Sequence, residues 1–292
     1  MQAIDLQTEL NFARIMLATD FSPVANIAQA YAVGLALHDS SALELATILD
    51  LSFTRFSTEV IPEFALEELR RSSEEDLQRA AETISGLKLT RRVIEGFRPA
   101  SLIVNEAVSS HADLIVLGTT SKHGLKKLAL GSTAEEVIRT APCPILTVGP
   151  QVPSPSANHP ISFKRIIYAT DFSSQAAKAA NLALSLGKRD GAQLYLCNVI
   201  TEKDGSGNYD YESTSRSSLQ ALMPESAYDW CHPECIVDPG KSSAAILALA
   251  KRVDADLIVL GARKDSFWIE YVRTGLTPAL LAFASCPVLS VC

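Results

Sequence analysis

An α/β fold made of two tandem, doubly wound parallel-sheet domains is what the sequence predicts, and three observations predict it. The chain repeats itself. FARIMLATDFSP at Phe12–Pro23 returns as FKRIIYATDFSS at Phe163–Ser174, ADLIVLGTT at Ala112–Thr120 returns as ADLIVLGAR at Ala255–Arg263, and APCPILTV at Ala141–Val148 returns as ASCPVLSV at Ala284–Val291. A repeat this long constrains the architecture before any residue is read chemically. Within each copy, short apolar runs alternate with helical patterns, which is the mark of βα units and a parallel sheet with helices on both faces. Between the copies, GPQVPSPSANHPIS at Gly149–Ser162 carries four prolines, a semi-extended linker composition. The expected domains are therefore residues 1–149 and 163–292, with 150–162 as the linker.

The elements of the first copy follow in order. Arg14–Thr19 is a short apolar strand, and Ser22 caps a helix that starts at Pro23 and runs to about His38. Leu43–Leu49 is a second strand, Pro62–Gly86 carries a charged amphipathic helix, Leu89–Glu95 is a third strand and Pro99–Ser110 a third helix. Asp113–Gly118 is apolar almost throughout, as expected of a strand buried on both faces. Ser132–Thr140 is a fourth helix, and Pro144–Val148 closes the copy as a last strand. The spacing from Asp20 to Asp171 is 151 residues, whereas Gly118 to Gly261 and Cys143 to Cys286 are both 143. The second copy is thus about eight residues shorter, and the loss falls in its middle.

Composition narrows the class. A chain of 292 residues, 47% apolar and 20% charged, can bury two full cores without a metal or disulfide. The net charge of −7 argues against nonspecific nucleic-acid binding. MQAIDLQTEL lacks the basic and apolar regions of a secretory signal, and no apolar run approaches the roughly 18 residues that span a bilayer. Six cysteines at these spacings do not make a disulfide framework, so a reduced cytoplasmic setting is expected.

Chemistry concentrates in the loop TTSKHGLKKLALGSTAEE after the fourth strand. Gly118 ends that strand, Gly124 sits in the loop, and Gly131 and Ser132 precede a helix with two overlapping capping boxes, Ser132 with Glu135 and Thr133 with Glu136. Residues 119–130 hold Lys122, Lys126 and Lys127 and no acid, a charge of +3 with His123 neutral. Glycines allow close backbone approach, and a helix N-terminus offers free N–H groups to an anion. An ordinary solvated β–α loop would also fit this pattern.

Both copies resemble universal stress protein domains, over nearly the whole chain apart from the linker and the extreme N-terminus. The nucleotide-binding branch of that family carries G-x-x-G-x9-G-S/T after its fourth strand. The first copy presents Gly118, Gly131 and Ser132 in place, with Ser121 where the second glycine is expected. The resemblance implies a Rossmann-like strand order 3-2-1-4-5, with ligands at the switch between strands one and four. It also implies a site for ATP or another adenine nucleotide, with or without Mg²⁺, formed by Thr19, Asp20, Ile48, Gly118, Thr119, Ser121, Gly124, Gly131, Ser132 and Thr133. Asp20 matches the aspartate that contacts adenosine, although an Asx turn before the helix would equally account for it. Ile48 matches an apolar residue near adenine, and an apolar strand residue also reads as plain core.

The second copy keeps the frame and changes the contents. In GARKDSFWIEYVRTGLTPALL, Lys264 and Thr274 replace the second and third glycines, and Gly275 falls where the serine belongs. Threonine is stiff and poorly suited to close backbone approach. Arg263, Lys264 and Arg273 against Asp265 and Glu270 leave +1. This copy is expected to keep the fold and to have lost the nucleotide site.

Other signals are set aside. DPGKSS at Asp238–Ser243 lacks the upstream glycine of a phosphate loop, so Gly240 reads as a turn residue and Ser242 as a helix cap. Cys231, His232 and Cys235 lack a fourth ligand nearby for zinc. The expected function is a ligand-responsive regulator of a stress response with an unidentified protein partner. A slow ATP hydrolase, with Ser132 or Thr133 holding Mg²⁺ between phosphates, and a nucleotide-free structural adaptor are the alternatives. The family resemblance also implies that the two apolar last strands pair the copies into an intrachain pseudo-dimer. Further association into a homodimer stays open.

Overall fold

The computed structural model describes residues 10–52, 62–119, 131–201, 209–261 and 276–291. The chain divides into two compact units, one spanning Phe12–Ile161 and the other beginning at Ser162. The first contains β1 (Arg14–Ala18), α1 (Pro23–Asp39), β2 (Ala42–Asp50), α2 (Glu63–Glu82), β3 (Lys88–Gly96), α3 (Pro99–Ser109), β4 (Leu114–Gly118), α4 (Ser132–Thr140) and β5 (Ile145–Val148). The second contains β6 (Arg165–Ala169), α5 (Ser174–Asp190), β7 (Gln193–Ile200), α6 (Tyr209–Ala221), a 3-10 turn at Glu225–Asp229, β8 (Glu234–Pro239), α7 (Ser242–Arg252), β9 (Leu257–Gly261), α8 (Leu276–Phe283) and β10 (Val288–Val291). The strand orders are β3-β2-β1-β4-β5 and β8-β7-β6-β9-β10, and the neighbours within each unit run parallel.

The repeated sequences supply the joints of this frame. Asp39 and Asp190 accept from the backbone N–H of Phe12 and Phe163 at 3.1 and 2.7 Å. Asp113 accepts from Arg14 N–H at 2.9 Å, and Asp256 accepts from Lys164 and Arg165 N–H at 2.7 and 3.0 Å. These carboxylates tie the entrances of β1 and β6 to the neighbouring strand and helix ends. The central strands are apolar because both faces are covered: Leu114–Leu117 and Leu257–Leu260 are buried throughout. Gly118 closes its strand against α1 so tightly that a Cβ there would lie 3.0 Å from the Ala25 backbone nitrogen.

Two expectations about caps are corrected. Helix α4 begins at Ser132 with Gly131 as its N-cap, and no side chain caps it, so the boxes Ser132–Glu135 and Thr133–Glu136 do not form. Ser132 is already helical, and its hydroxyl is out of place to cap the turn it starts. In the same way Lys241 is the N-cap of α7 and Ser242 its first residue. Gly240 is the expected turn residue, at φ +127°.

The proline-rich segment is anchored to the first unit. Ile161 packs over Gly34, its N–H donating to the Gly34 carbonyl at 3.0 Å. Asn158 accepts from Ser85 N–H and donates to the Thr83 carbonyl. Val152 is buried.

Candidate functional site

In each unit the strand order reverses beside the first strand, between β1 and β4 and between β6 and β9. Crevices of this kind, beyond the carboxyl ends of parallel strands, are where such sheets bind ligands. In the first unit, Thr19 and Asp20 leave β1 there. Thr19 N–H donates to the Ala46 carbonyl at 2.9 Å, and the Thr19 hydroxyl accepts from Phe21 N–H at 3.0 Å. Asp20 Oδ1 accepts from Ser22 N–H at 3.0 Å, and Ser22 Oγ accepts from Ala25 N–H at 3.2 Å. Phe21 takes a left-handed φ of 59°. The result is a tight turn that starts α1 and holds the half-buried Asp20 at the crevice. The Asx turn is thus present.

Gly118 and Thr119 leave β4 on the other side. Thr119 N–H donates to the Val148 carbonyl at 3.0 Å, and its own carbonyl accepts from Gly131 N–H at 2.9 Å. That bond brings the start of α4 back to the end of β4 although twelve residues separate the two glycines. A Cβ on Gly131 would sit 3.3 Å from the Thr119 oxygen, while φ at Gly131 is an ordinary −65°. The backbone angle suits any residue, and the close approach to the Thr119 oxygen is what favours a glycine here. Ser132 is exposed and Thr133 half-buried. With Gly131 as N-cap and no side-chain cap, the first-turn N–H groups of α4 have no helical acceptors. Ile48 is half-buried on β2, two residues beyond the Ala18–Ala46 pair, and therefore level with Asp20.

Of the residues expected at the site, Thr19, Asp20, Ile48, Gly118, Thr119, Gly131, Ser132 and Thr133 come together along this carboxyl edge. Ser121 and Gly124 lie outside the described residues, as do Lys122, His123, Lys126 and Lys127.

The second unit repeats the first loop closely. Thr170 N–H donates to the Cys197 carbonyl at 2.9 Å, Thr170 Oγ1 accepts from Phe172 N–H, Asp171 Oδ1 accepts from Ser173 N–H at 3.0 Å, and Phe172 has φ 59°. Asp171 is exposed where Asp20 is half-buried. A difference that sequence reading missed lies on the second strand: Thr47 is replaced by Asn198, whose Nδ2 donates to the Thr170 carbonyl at 2.9 Å. The signal was available as an unlike pair inside an otherwise matched repeat. The positions Thr274 and Gly275 lie outside the described residues.

Other chemistry finds little footing. Burial pushes the Cys197 and Cys286 thiols up to about 12, which keeps them protonated and unreactive. Cys231 follows the 3-10 turn and Cys235 lies in β8. Among the described residues no group of three His, Cys, Asp or Glu side chains is placed to hold a metal ion. No described helix is long and apolar enough to cross a membrane.

Comparison with known proteins agrees with this geometry. A model of the universal stress protein family matches residues 11–149 and 162–291. A universal stress protein of Methanocaldococcus jannaschii is 35% identical over 140 residues, covering 47% of this chain and 82% of its own length. A Staphylococcus aureus relative is 32% identical over 142 residues, covering 48% of this chain and 85% of its own. The crystal structure of a universal stress protein from Archaeoglobus fulgidus matches the fold over 95% of both chains at a TM-score of 0.74 and 19% identity. With two family domains in succession along one polypeptide, the chain belongs to the universal stress protein family as a tandem member.

Proposed function

We propose that the first unit binds one adenine nucleotide, ATP or a close relative, and that the chain acts as a ligand-responsive regulator of a stress response. The observation that carries this reading is the uncapped start of α4, held by the Gly131–Thr119 bond at the same crevice as Asp20. An uncapped helix start suits a phosphate, because its free N–H groups and positive dipole end both favour an anion. In this reading the N–H groups of Ser132 and Thr133 hold phosphate oxygens. The Gly131 N–H is already engaged, so that glycine serves by clearing space. Asp20 accepts from the adenosine part, and Ile48 packs beside the base. Thr19, Gly118 and Thr119 position these groups, and the glycine motif that carries Ser121 and Gly124 completes the proposed site. Where Mg²⁺ accompanies the nucleotide, the hydroxyl of Ser132 or Thr133 is its protein ligand.

The same crevice in the second unit is proposed to be empty of nucleotide, because the residues replacing Gly131 and Ser132 are Thr274 and Gly275. A cytoplasmic setting completes the proposal, in keeping with the unbridged thiols of the buried Cys197 and Cys286.

Calorimetric titration of the full chain with ATP tests the reading: one site per chain is expected, lost in Gly131→Val. Phosphate release above the background of that variant would favour the slow hydrolase. Absence of binding to any adenine nucleotide would favour the adaptor.

A further inference from the structure

The first unit has an open sheet edge that the nucleotide reading does not use. Among the described strands, β3 comes first in the order of its unit and pairs with β2 alone. Leu51 N–H donates to the Gly96 carbonyl at 2.9 Å, so the backbone groups of Gly96 face β2. Because a strand is pleated, its backbone groups alternate between the two sides of the ladder. Those of Leu89, Arg91, Val93 and Glu95 therefore point away from β2. They take no other partner among the described residues. A row of donors and acceptors of this kind is a template for another strand.

The edge is basic and has room beside it. β3 carries Lys88, Arg91 and Arg92 against Glu95. Glu95 accepts from Arg70 Nε of α2, whereas Arg92, of opposite parity, places its Nε 3.4 Å from Glu106 Oε1 of α3. Arg91 and Val93 thus share the α2 side of the sheet with Glu95. Helix α2 covers that side thinly, since Leu77 is the one buried residue along it. Between α2 and β3 lies an open cavity of about 830 Å³. Four arginines on its lining outnumber Glu74 and Glu75, and Leu77 and Val93 are its apolar part. Arg71, Arg79 and Arg92 each pair with an acid of the chain. Arg91 is exposed and has no such partner among the described residues.

The second unit closes the same edge. There β8 pairs with β7 alone among the described strands, and Gly240 N–H donates to the Ile200 carbonyl at 2.9 Å. By the same alternation Cys235, Val237 and Pro239 point outward. Arg216 Nη1 of α6 donates to the Cys235 carbonyl at 2.8 Å, and Pro239 has no N–H to offer. The charges on β8 are acidic, Glu234 and Asp238. Edges are blunted in these ways to keep stray strands off. β3 has neither device, and its positive charges select by sign.

We propose that the outer edge of β3 docks an extended acidic peptide of a partner protein, which adds to the sheet as one more strand. The peptide backbone pairs with Leu89, Arg91, Val93 and Glu95, and side chains at alternate positions give specificity. On the α2 side an acidic side chain meets Arg91, and an apolar one two residues away meets Val93 and Leu77. On the other side Lys88 and Arg92 favour acids again. About seven residues, on the order of 20 Å of strand, cover the edge. An anionic polymer of another kind would leave the row of backbone groups unused.

Fluorescence anisotropy of the full chain with a fluorescein-labelled nonapeptide of alternating glutamate and valine tests the proposal. It is measured without nucleotide, so a failure of the crevice to bind ATP leaves it intact. Saturable binding is expected, weakened tenfold or more in Arg91→Glu. A probe with proline in place of each valine keeps the charge but cannot form a strand, and should not bind. Val93→Pro removes one outward N–H without touching the ladder to β2, and should weaken binding several-fold with an unchanged circular dichroism spectrum. If Val93→Pro does not fold, the exposed Arg91→Glu and the proline probe decide. No saturable binding, equal affinity in Arg91→Glu, or equal binding of the proline probe would overturn the proposal. An oligouridylate of the same charge that binds as tightly would overturn it as well, by showing a site for anions in general. Self-association abolished by Val93→Pro, in place of probe binding, would give the edge to a second copy of the chain and overturn it too.

Discussion

The two crevices of this chain share one turn and differ in the other. Leaving β1 and β6, the sequence ATDFS builds the same hydrogen bonds in both units: Thr to Phe N–H, Asp to the following Ser N–H, and a left-handed Phe between them. Leaving β4 and β9, one copy has a glycine-ended basic loop and the other a bulky, nearly neutral one. The retained turn starts a helix and orients a carboxylate, and a domain needs the first of these whether or not it binds anything. A repeated aspartate is therefore weak evidence for a ligand. The loop contents distinguish a site from a scaffold.

The sharpest break of this comparison is stoichiometric. The full chain should take up one equivalent of ATP by calorimetry. Two equivalent sites, or a site that survives every change in the first unit, would show that the second crevice kept its chemistry. Next in size is Gly131→Val. Loss of two or three charge-assisted hydrogen bonds, at about 1.5–3 kcal/mol each, lowers affinity by orders of magnitude. Since φ at Gly131 suits any residue, circular dichroism should find the fold intact, with Gly131→Ala intermediate in affinity.

Asp20→Ala and Asp171→Ala compare the same turn in two settings. The first should weaken ATP binding by tenfold or more and the second should leave it unchanged, although both lose an Asx turn. Equal effects would mean that the turn, and not the carboxylate, matters to the ligand. Ser22→Ala and Ser173→Ala should by contrast behave alike, each costing about 1 kcal/mol in urea unfolding through loss of a helix cap. The smallest effect is at the far end of those helices. Ser40 and Gly191 both close them in the left-handed region, at φ 56° and 60°. Glycine is free of the steric cost there, so Ser40→Gly should stabilise the chain by up to about 1 kcal/mol in urea unfolding.

Much of this was legible in the chain itself. The strands β1 and β4 and the helix from Pro23 stand within a residue or so of where periodicity placed them, because long apolar runs and a Ser-Pro start leave few alternatives. Asp20 was legible as a carboxylate at a strand end. The caps of α4 and α7 were misread by one position, since Ser132 and Ser242 satisfy the capping pattern equally well as cap or as first helical residue. The extended backbone at Gly131 and Lys241, one residue earlier, decides between the two.

By itself, then, the sequence determined the duplication, the βα alternation and the unlike loops, which are local or self-comparing properties. The tertiary structure decided what depends on distant groups meeting. It turned the proline-rich segment into a strap anchored at Gly34, brought the start of α4 to the end of β4, and set the Asp113 carboxylate to accept from Arg14 N–H. No periodicity encodes a contact between residues 99 positions apart. Such contacts arise when helices pack onto a sheet whose strand order the chain does not spell out.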